Sequence, residues 1–270
     1  MTLLRHVLWI GGPPASGKST VATRIARRHA LRWYGADTRT WAHRDRALTE
    51  GNPAALRWEA MAPAERWNAS TPADLLELSL HVERGPMVVD DLRRLPRSPL
   101  VVAEGSPLRP AAVSCGVAER SRAVWLLPTP EFQRAQLEER DVPRGPSELY
   151  RLLADEIERE ATERAVPVLA VDGSRDIDET VEAVESLFAD ALAEGPRAET
   201  LAERRALLRE ANEAIVSQVR AYYSRPWAEG SSDTVVREFL CECGDPNCKA
   251  TLRLTVAAVC VAPAFAPGHG

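Results

Sequence analysis

"HVLWIGGPPASGKSTVATRIARRHA", residues 6–30, decides the fold. The run HVLWIG (6–11) is apolar and short, as a buried strand is, and KSTVATRIARRHA (18–30) sets Val21, Ala22, Ile25 and Ala26 on one helical face. Between them Gly12-Pro13-Pro14-Ala15-Ser16-Gly17-Lys18-Ser19, followed by Thr20, fits the spacing G-x-x-x-x-G-K-[ST]. A loop of this kind curls its backbone N–H groups around nucleotide phosphates, and glycine serves where the chain must turn tightly against an anion. The lysine ammonium then bridges the β- and γ-phosphates, and the hydroxyl after it binds Mg²⁺. The stretch therefore predicts a nucleotide site over Gly12–Thr20, with ATP and Mg²⁺ as the expected cofactors.

Lysine is scarce elsewhere. Of 34 basic residues only Lys18 and Lys249 are lysine. Arginine is a planar fork and lysine a compact point charge on a thin stem, so a retained lysine marks a place a guanidinium would not fit.

The chain has 270 residues, 45% hydrophobic and 27% charged, which is the composition of a soluble globular protein. A net charge of −5 removes any global attraction to nucleic acid or an anionic membrane. No apolar run approaches the ~20 residues that span a bilayer. The first residues run straight into a strand with no signal-peptide pattern, so a cytoplasmic location is expected. Three of the five cysteines cluster near the C-terminus, which in a reducing compartment suggests metal rather than disulfides.

Strand and helix patterns alternate to about residue 193. Strands are expected at 6–11, 31–37, 99–105, 122–128 and 166–174, and helices at 131–140, 147–165 and 177–193. Residues 38–84 look helical and irregular, broken at Pro53, Pro63 and Pro72, and 87–96 fits either a helix turn or a short strand. The class is α/β with a parallel five-stranded sheet flanked by helices. EGPRAE (194–199) marks a boundary between a 1–194 unit and a 195–270 unit, the latter a long charged helix (197–223) and a small Cys-bearing module.

With no Asn-Lys-x-Asp motif and no Leu-Ser-Gly-Gly-Gln signature, the compact pattern over residues 5–193 resembles the P-loop small-molecule kinases. That group includes nucleoside and nucleotide kinases, gluconate- and shikimate-type kinases and chloramphenicol phosphotransferase. The resemblance implies ATP-dependent phosphoryl transfer to a hydroxyl of a small molecule (a nucleoside, sugar or antibiotic-like acceptor), with Lys18 at the transferred phosphate. It implies that Asp37, after the second strand, faces the γ-phosphate and orients or deprotonates the acceptor hydroxyl; the alternative is a helix N-cap. Glu104 ends LVVAEG at the carboxyl end of a strand, where α/β sheets bind ligands, and is a candidate to hold Mg²⁺ with Ser19, or else ends the strand in solvent. Asp90 and Asp91 are further carboxylate candidates. The resemblance also implies a closing segment whose arginines grip the phosphates, which points to Arg140 and Arg144, and to Arg134 less directly. Trp33, Trp41, Trp58 and Trp67 lie where such kinases place acceptor-binding helices, and their rings could stack on an acceptor or pack a core.

FLCECGDPNC (239–248) brings Cys241, Cys243 and Cys248 together around a Gly-Asp-Pro-Asn turn. Zn²⁺ needs four N or S ligands, and the fourth is His269 or Cys260. The phrase resembles a Cys-Glu-Cys-Gly/Ala-Asp-Pro-x-Cys element of small bacterial proteins, preceded by an Arg/Asn/Glu-rich helix and followed by Pro-Gly-His. The same order here implies His269 and a structural zinc; the other reading is three unliganded thiols. Cys115 stands alone and is expected to be a buried small residue. The competing functional reading is a nucleotide-binding switch, or weak ATPase, whose zinc module docks a protein partner. A nucleic-acid-modifying role for the tail is opposed by the acidic balance.

Overall fold

The computed structural model of the chain describes residues 2–63, 65, 66 and 71–269. Trp67, one of the four tryptophan candidates, lies outside the described residues.

Strands β1 (Val7–Gly11), β2 (Arg32–Gly35), β3 (Val101–Gly105), β4 (Ala123–Pro128) and β5 (Val168–Val171) form one sheet in the order β2-β3-β1-β4-β5, every pair parallel. β1 and β3 are buried along their whole length, as expected of central parallel strands covered on both faces. Side-chain alternation sorts the sheet cleanly. Val7, Trp9, Val101, Ala103, Ala123 and Trp125 point to one face, and Leu8, Ile10, Val102, Val124 and Leu126 to the other.

Helix α1 (Lys18–Arg28) covers the second face with Val21, Ala22, Ile25 and Ala26, the four positions its periodicity set aside. Toward the middle of the chain come α2 (Thr40–Thr49), α3 (Pro53–Ala60), α4 (Pro72–Ser79) and α5 (His81–Arg94). The ambiguous 87–96 stretch is thus helical as far as Arg94, and α5 packs Val88, Val89 and Leu92 on the first face. After β3 come the short α6 (Ala111–Ser114), then α7 (Pro130–Glu139) and α8 (Arg144–Glu163), the last adding Ile157 and Ala161 to that face. The expected 177–193 helix is two, α9 (Ile177–Leu187) and α10 (Ala189–Glu194), both on the α1 side. An Asp176–Glu179 capping box starts α9.

The C-terminal part consists of α11 (Leu201–Tyr223), an antiparallel pair β6 (Val236–Leu240) and β7 (Thr251–Thr255), and α12 (Val256–Val261). The hairpin is not legible in the sequence because its strands are short and Phe239 alone of their residues is buried. Phe239, Val256 and Val259 pack against Val216 and Val219 of α11, a small core of their own. Asn212 of α11 is fully buried and joins helix to hairpin: its Nδ2 donates to the Leu240 carbonyl (2.9 Å) and its Oδ1 accepts from Leu240 N–H (2.8 Å). No helix among the described residues is long and apolar enough to cross a membrane.

Candidate functional site

The turn from β1 into α1 lies at the carboxyl edge of the sheet. Its backbone is strongly bent: Gly12, Ala15 and Gly17 all have positive φ, at 138°, 67° and 78°. Gly12 admits no side chain, because a Cβ there would run into the Leu126 carbonyl oxygen. Gly17 opens α1, and no side chain caps that helix, so its first N–H groups stay free for an anion. Ser16 Oγ is buried with no hydrogen-bond partner among the described residues. The Gln133 amide of α7 donates to Pro14 O (3.1 Å) and Tyr150 O (3.2 Å), tying the loop to α8.

Lys18 is only 5% exposed and forms no ion pair among the described residues, yet it lines a cavity of about 510 Å³. A buried ammonium without a carboxylate partner is costly unless a ligand supplies the counter-charge. Beside it, Ser19 Oγ donates to Glu104 Oε2 at 2.9 Å. Glu104 ends β3 buried, not in solvent, and burial pushes its carboxyl up to about 7 against the opposing pull of Lys18.

Asp37 sits in the short 3-10 turn after β2 and also lines the cavity. Its carboxylate is 59% exposed and 3.9 Å from Arg84, and it caps neither that turn nor α2. Arg140 follows α7 and lines the same cavity, whereas Arg144 opens α8 and, with Arg134, lines the neighbouring surface groove. Thr20 is exposed on α1. Trp41 and Trp58 form cavity wall; Trp33 packs against the sheet on the α1 side. Asp90 and Asp91 do neither. Asp90 pairs with Arg46 and Arg93, and Asp91 accepts from Tyr34 Oη (2.9 Å) and meets His43 Nε2 (3.0 Å), so both serve the packing of α5.

Several cavity residues were not singled out from sequence. Arg44, His81, Arg84 and Tyr150 contribute to the wall, and Gln218 reaches it from α11. Arginines carry no signal in a chain with 32 of them. His81, one of only five histidines, was the one with a compositional hint. Gln218 Oε1 also accepts from the Trp41 N–H (3.3 Å), and Arg225, just past α11, pairs with Asp45 (2.6 Å). The C-terminal part therefore closes one side of the cavity.

A second constellation lies at the hairpin. The ligand atoms of Cys241, Cys243, Cys248 and His269 all fall within 4.8 Å of one another, and the three cysteines are buried. His269 Nδ1 is 3.6 Å from Cys241 Sγ and 3.5 Å from Cys248 Sγ. Those are the edges of a tetrahedron: Zn–S near 2.3 Å and Zn–N near 2.0 Å place S and N about 3.5 Å apart. The set fits a metal such as zinc. Cys260 is exposed on α12 and takes a contact from Arg220 (3.2 Å), outside the cluster. Glu242, between the first two cysteines, is buried and accepts from Asn212 (2.8 Å), so it anchors the turn to α11. Cys115, expected to be buried, is exposed instead, because α6 ends at Ser114 and the chain reverses at the surface through Gly116.

No protein-family model matches the chain, and no curated protein matches it. What the two constellations can do follows from their own geometry.

Proposed function

We infer that the protein is an ATP-dependent phosphotransferase that moves a γ-phosphoryl group to the hydroxyl of a small molecule. One observation carries the reading: Lys18, buried without an ion pair under a bent loop at a helix N-terminus, opens onto a cavity that also holds Asp37. In this reading the Gly12–Thr20 loop is a phosphate-binding loop and its N–H groups cradle the nucleotide phosphates. Ser19 and Glu104 are the residues that would hold Mg²⁺, which supplies charge neutralisation at the β- and γ-phosphates when bound. Lys18 carries positive charge to the transferring group, and Arg140 adds a second cation from α7's end. Asp37 positions the acceptor hydroxyl and takes its proton as oxygen bonds to the γ-phosphorus; the bond to the β–γ bridging oxygen breaks and ADP leaves. The cysteine–histidine cluster has no open position for a substrate and serves structure.

The test is ADP release from MgATP by purified protein across a panel of small alcohols, with phosphorylated product identified by mass. Acceptor-dependent ADP with matching product supports the reading. Nucleotide binding with no acceptor-dependent turnover favours a nucleotide-gated switch.

A further inference from the structure

The second half of α1 carries three arginines in unlike surroundings. Arg24 meets Asp178 (2.6 Å) and Arg28 meets Glu185 (2.7 Å), both acids on α9. Arg27 turns toward the hairpin instead, is only 7% exposed and has no carboxylate partner among the described residues. Its Nη2 donates to the Cys241 carbonyl, and its Nη1 points at Cys243 Sγ from 3.9 Å. A buried guanidinium is costly unless something it faces supplies the counter-charge. The buried acid of that turn, Glu242, is taken by Arg209 (3.4 Å) and Asn212 (2.8 Å). What remains in front of Arg27 is the sulfur cluster. Cysteines that bind a metal do so as thiolates and a histidine does so as neutral imidazole. Three thiolates, one imidazole and a divalent cation sum to a single negative charge, which one guanidinium balances. Arg205 is a second cation at the turn. Its Nε donates to the Cys243 carbonyl (3.2 Å) and its guanidinium lies over the Phe265 ring (5.3 Å), but it is half-buried and donates to no sulfur among the described residues.

We propose that Arg27 is the counter-ion of the metal centre: by balancing the net negative charge of the loaded site, it sets the affinity of Cys241, Cys243, Cys248 and His269 for a divalent cation such as Zn²⁺. Arg27 touches no metal itself and acts through the Cys243 sulfur and the Cys241 carbonyl. The proposal rests on the cysteine–histidine cluster and is independent of phosphoryl transfer. By linkage, a metal that binds a variant more weakly also adds less to that variant's stability.

The experiment loads the full chain and its Arg27→Gln, Arg27→Lys and Arg205→Gln variants with Zn²⁺ and titrates each with a competing chelator at one fixed pH. The same four proteins are loaded with Co²⁺ for absorption spectra. Arg27→Gln is expected to bind Zn²⁺ at least tenfold more weakly, the loss usual when a group behind the ligands is changed, while Arg27→Lys and Arg205→Gln stay within about threefold of wild type. In the Co²⁺ form the visible bands of a tetrahedral four-ligand site should persist in Arg27→Gln. Its sulfur-to-metal charge-transfer absorption should move to longer wavelength, because the cation that held the Cys243 electrons is gone. A loss below tenfold in folded Arg27→Gln overturns the proposal and leaves Arg27 a clamp on the Cys241 carbonyl. An equal loss in Arg27→Lys or Arg205→Gln overturns it too. Should Arg27→Gln not fold, Arg27→Lys decides alone: affinity within about threefold of wild type supports the charge role, and a larger loss ends it. Wild-type protein that binds no Zn²⁺ removes the metal site and the proposal together.

Discussion

Arg27, near the C-terminal end of α1, donates through Nη2 to the carbonyl oxygen of Cys241. Lys18 is the first residue of the same helix, nine residues earlier, so cavity and cysteine cluster sit at opposite ends of one rod about 14 Å long. Lys249, beside the last cysteine, pairs with Asp178 of α9 (2.7 Å), which Arg24 of α1 also holds (2.6 Å). The hairpin is thus fastened to the helix that carries the loop.

Metal removal should act along that connection. Purified protein is expected to carry about one equivalent of zinc, lost in Cys241→Ser and kept in Cys260→Ser, as measured by atomic emission. Much of the hairpin's folding free energy would come from the metal, because its own core is six buried residues. Chelation should lower Tm and speed amide exchange over β6, β7 and the end of α11, and so loosen the Gln218 and Arg225 side of the cavity. The acceptor KM should rise several-fold while nucleotide affinity changes less. Protein purified without chelator under reducing conditions and found free of metal would remove the site.

Lys18→Ala should abolish phosphoryl transfer, a loss of at least a hundredfold in kcat, with Tm unchanged or raised because an unpaired buried charge is gone. Lys18→Arg should fail as well, since a planar fork does not fit the notch a thin ammonium occupies. Steady-state ADP release and calorimetric stability measure both. Full turnover in either variant would contradict the phosphate-loop assignment.

Asp37→Asn should cut kcat by about a hundredfold or more and leave ATP affinity within a few-fold, because the carboxylate is assigned to the acceptor proton and not to phosphate. Its carboxylate caps no helix, so stability should move little. A parallel loss of nucleotide binding would instead place Asp37 with the metal ligands.

The parts of this architecture visible in the sequence are those where one local rule acts alone. Val7–Gly11 and Val101–Gly105 are buried on both faces, and continuous apolar runs announce that. The loop announces itself by spacing, and Cys241, Cys243 and Cys248 by proximity. The cavity wall was less visible for a physical reason: Arg44, His81 and Gln218 come from three helices whose relative placement is tertiary, and each looks like an ordinary helical residue. Arg140 and Arg144 had the same sequence warrant, yet one faces the cavity and the other a groove, because Arg140 caps the end of α7 and the chain turns through Asp141 at φ 49° before α8 opens at Arg144. The β6–β7 pair was missed because Val236, Arg237 and Glu238 are exposed and give no periodic apolar signal.

Glu104 ties stability to pH. In protein free of Mg²⁺ and nucleotide its carboxyl is raised by burial from 4.5 to about 7. Between those values the folded chain keeps a proton that the unfolded chain has released, so stability is fully present below 4.5 and falls as pH rises toward and through 7. The loss is on the order of 3 kcal/mol from this group. Glu104→Gln keeps an acceptor for the Ser19 hydroxyl but cannot ionise, so it should be more stable than wild type at pH 8 and nearly equal to it at pH 4.5 to 5. Denaturant melts of both proteins at the two pH values give the comparison, and the difference between them isolates Glu104 from every other titrating group. The same variant should lose Mg²⁺-dependent turnover, since an amide is a weaker ligand for a hard cation than a carboxylate. Parallel stability-versus-pH curves for the two proteins would mean that Glu104 is already ionised in the folded chain, with Lys18 as its counter-ion rather than a charge held for phosphate.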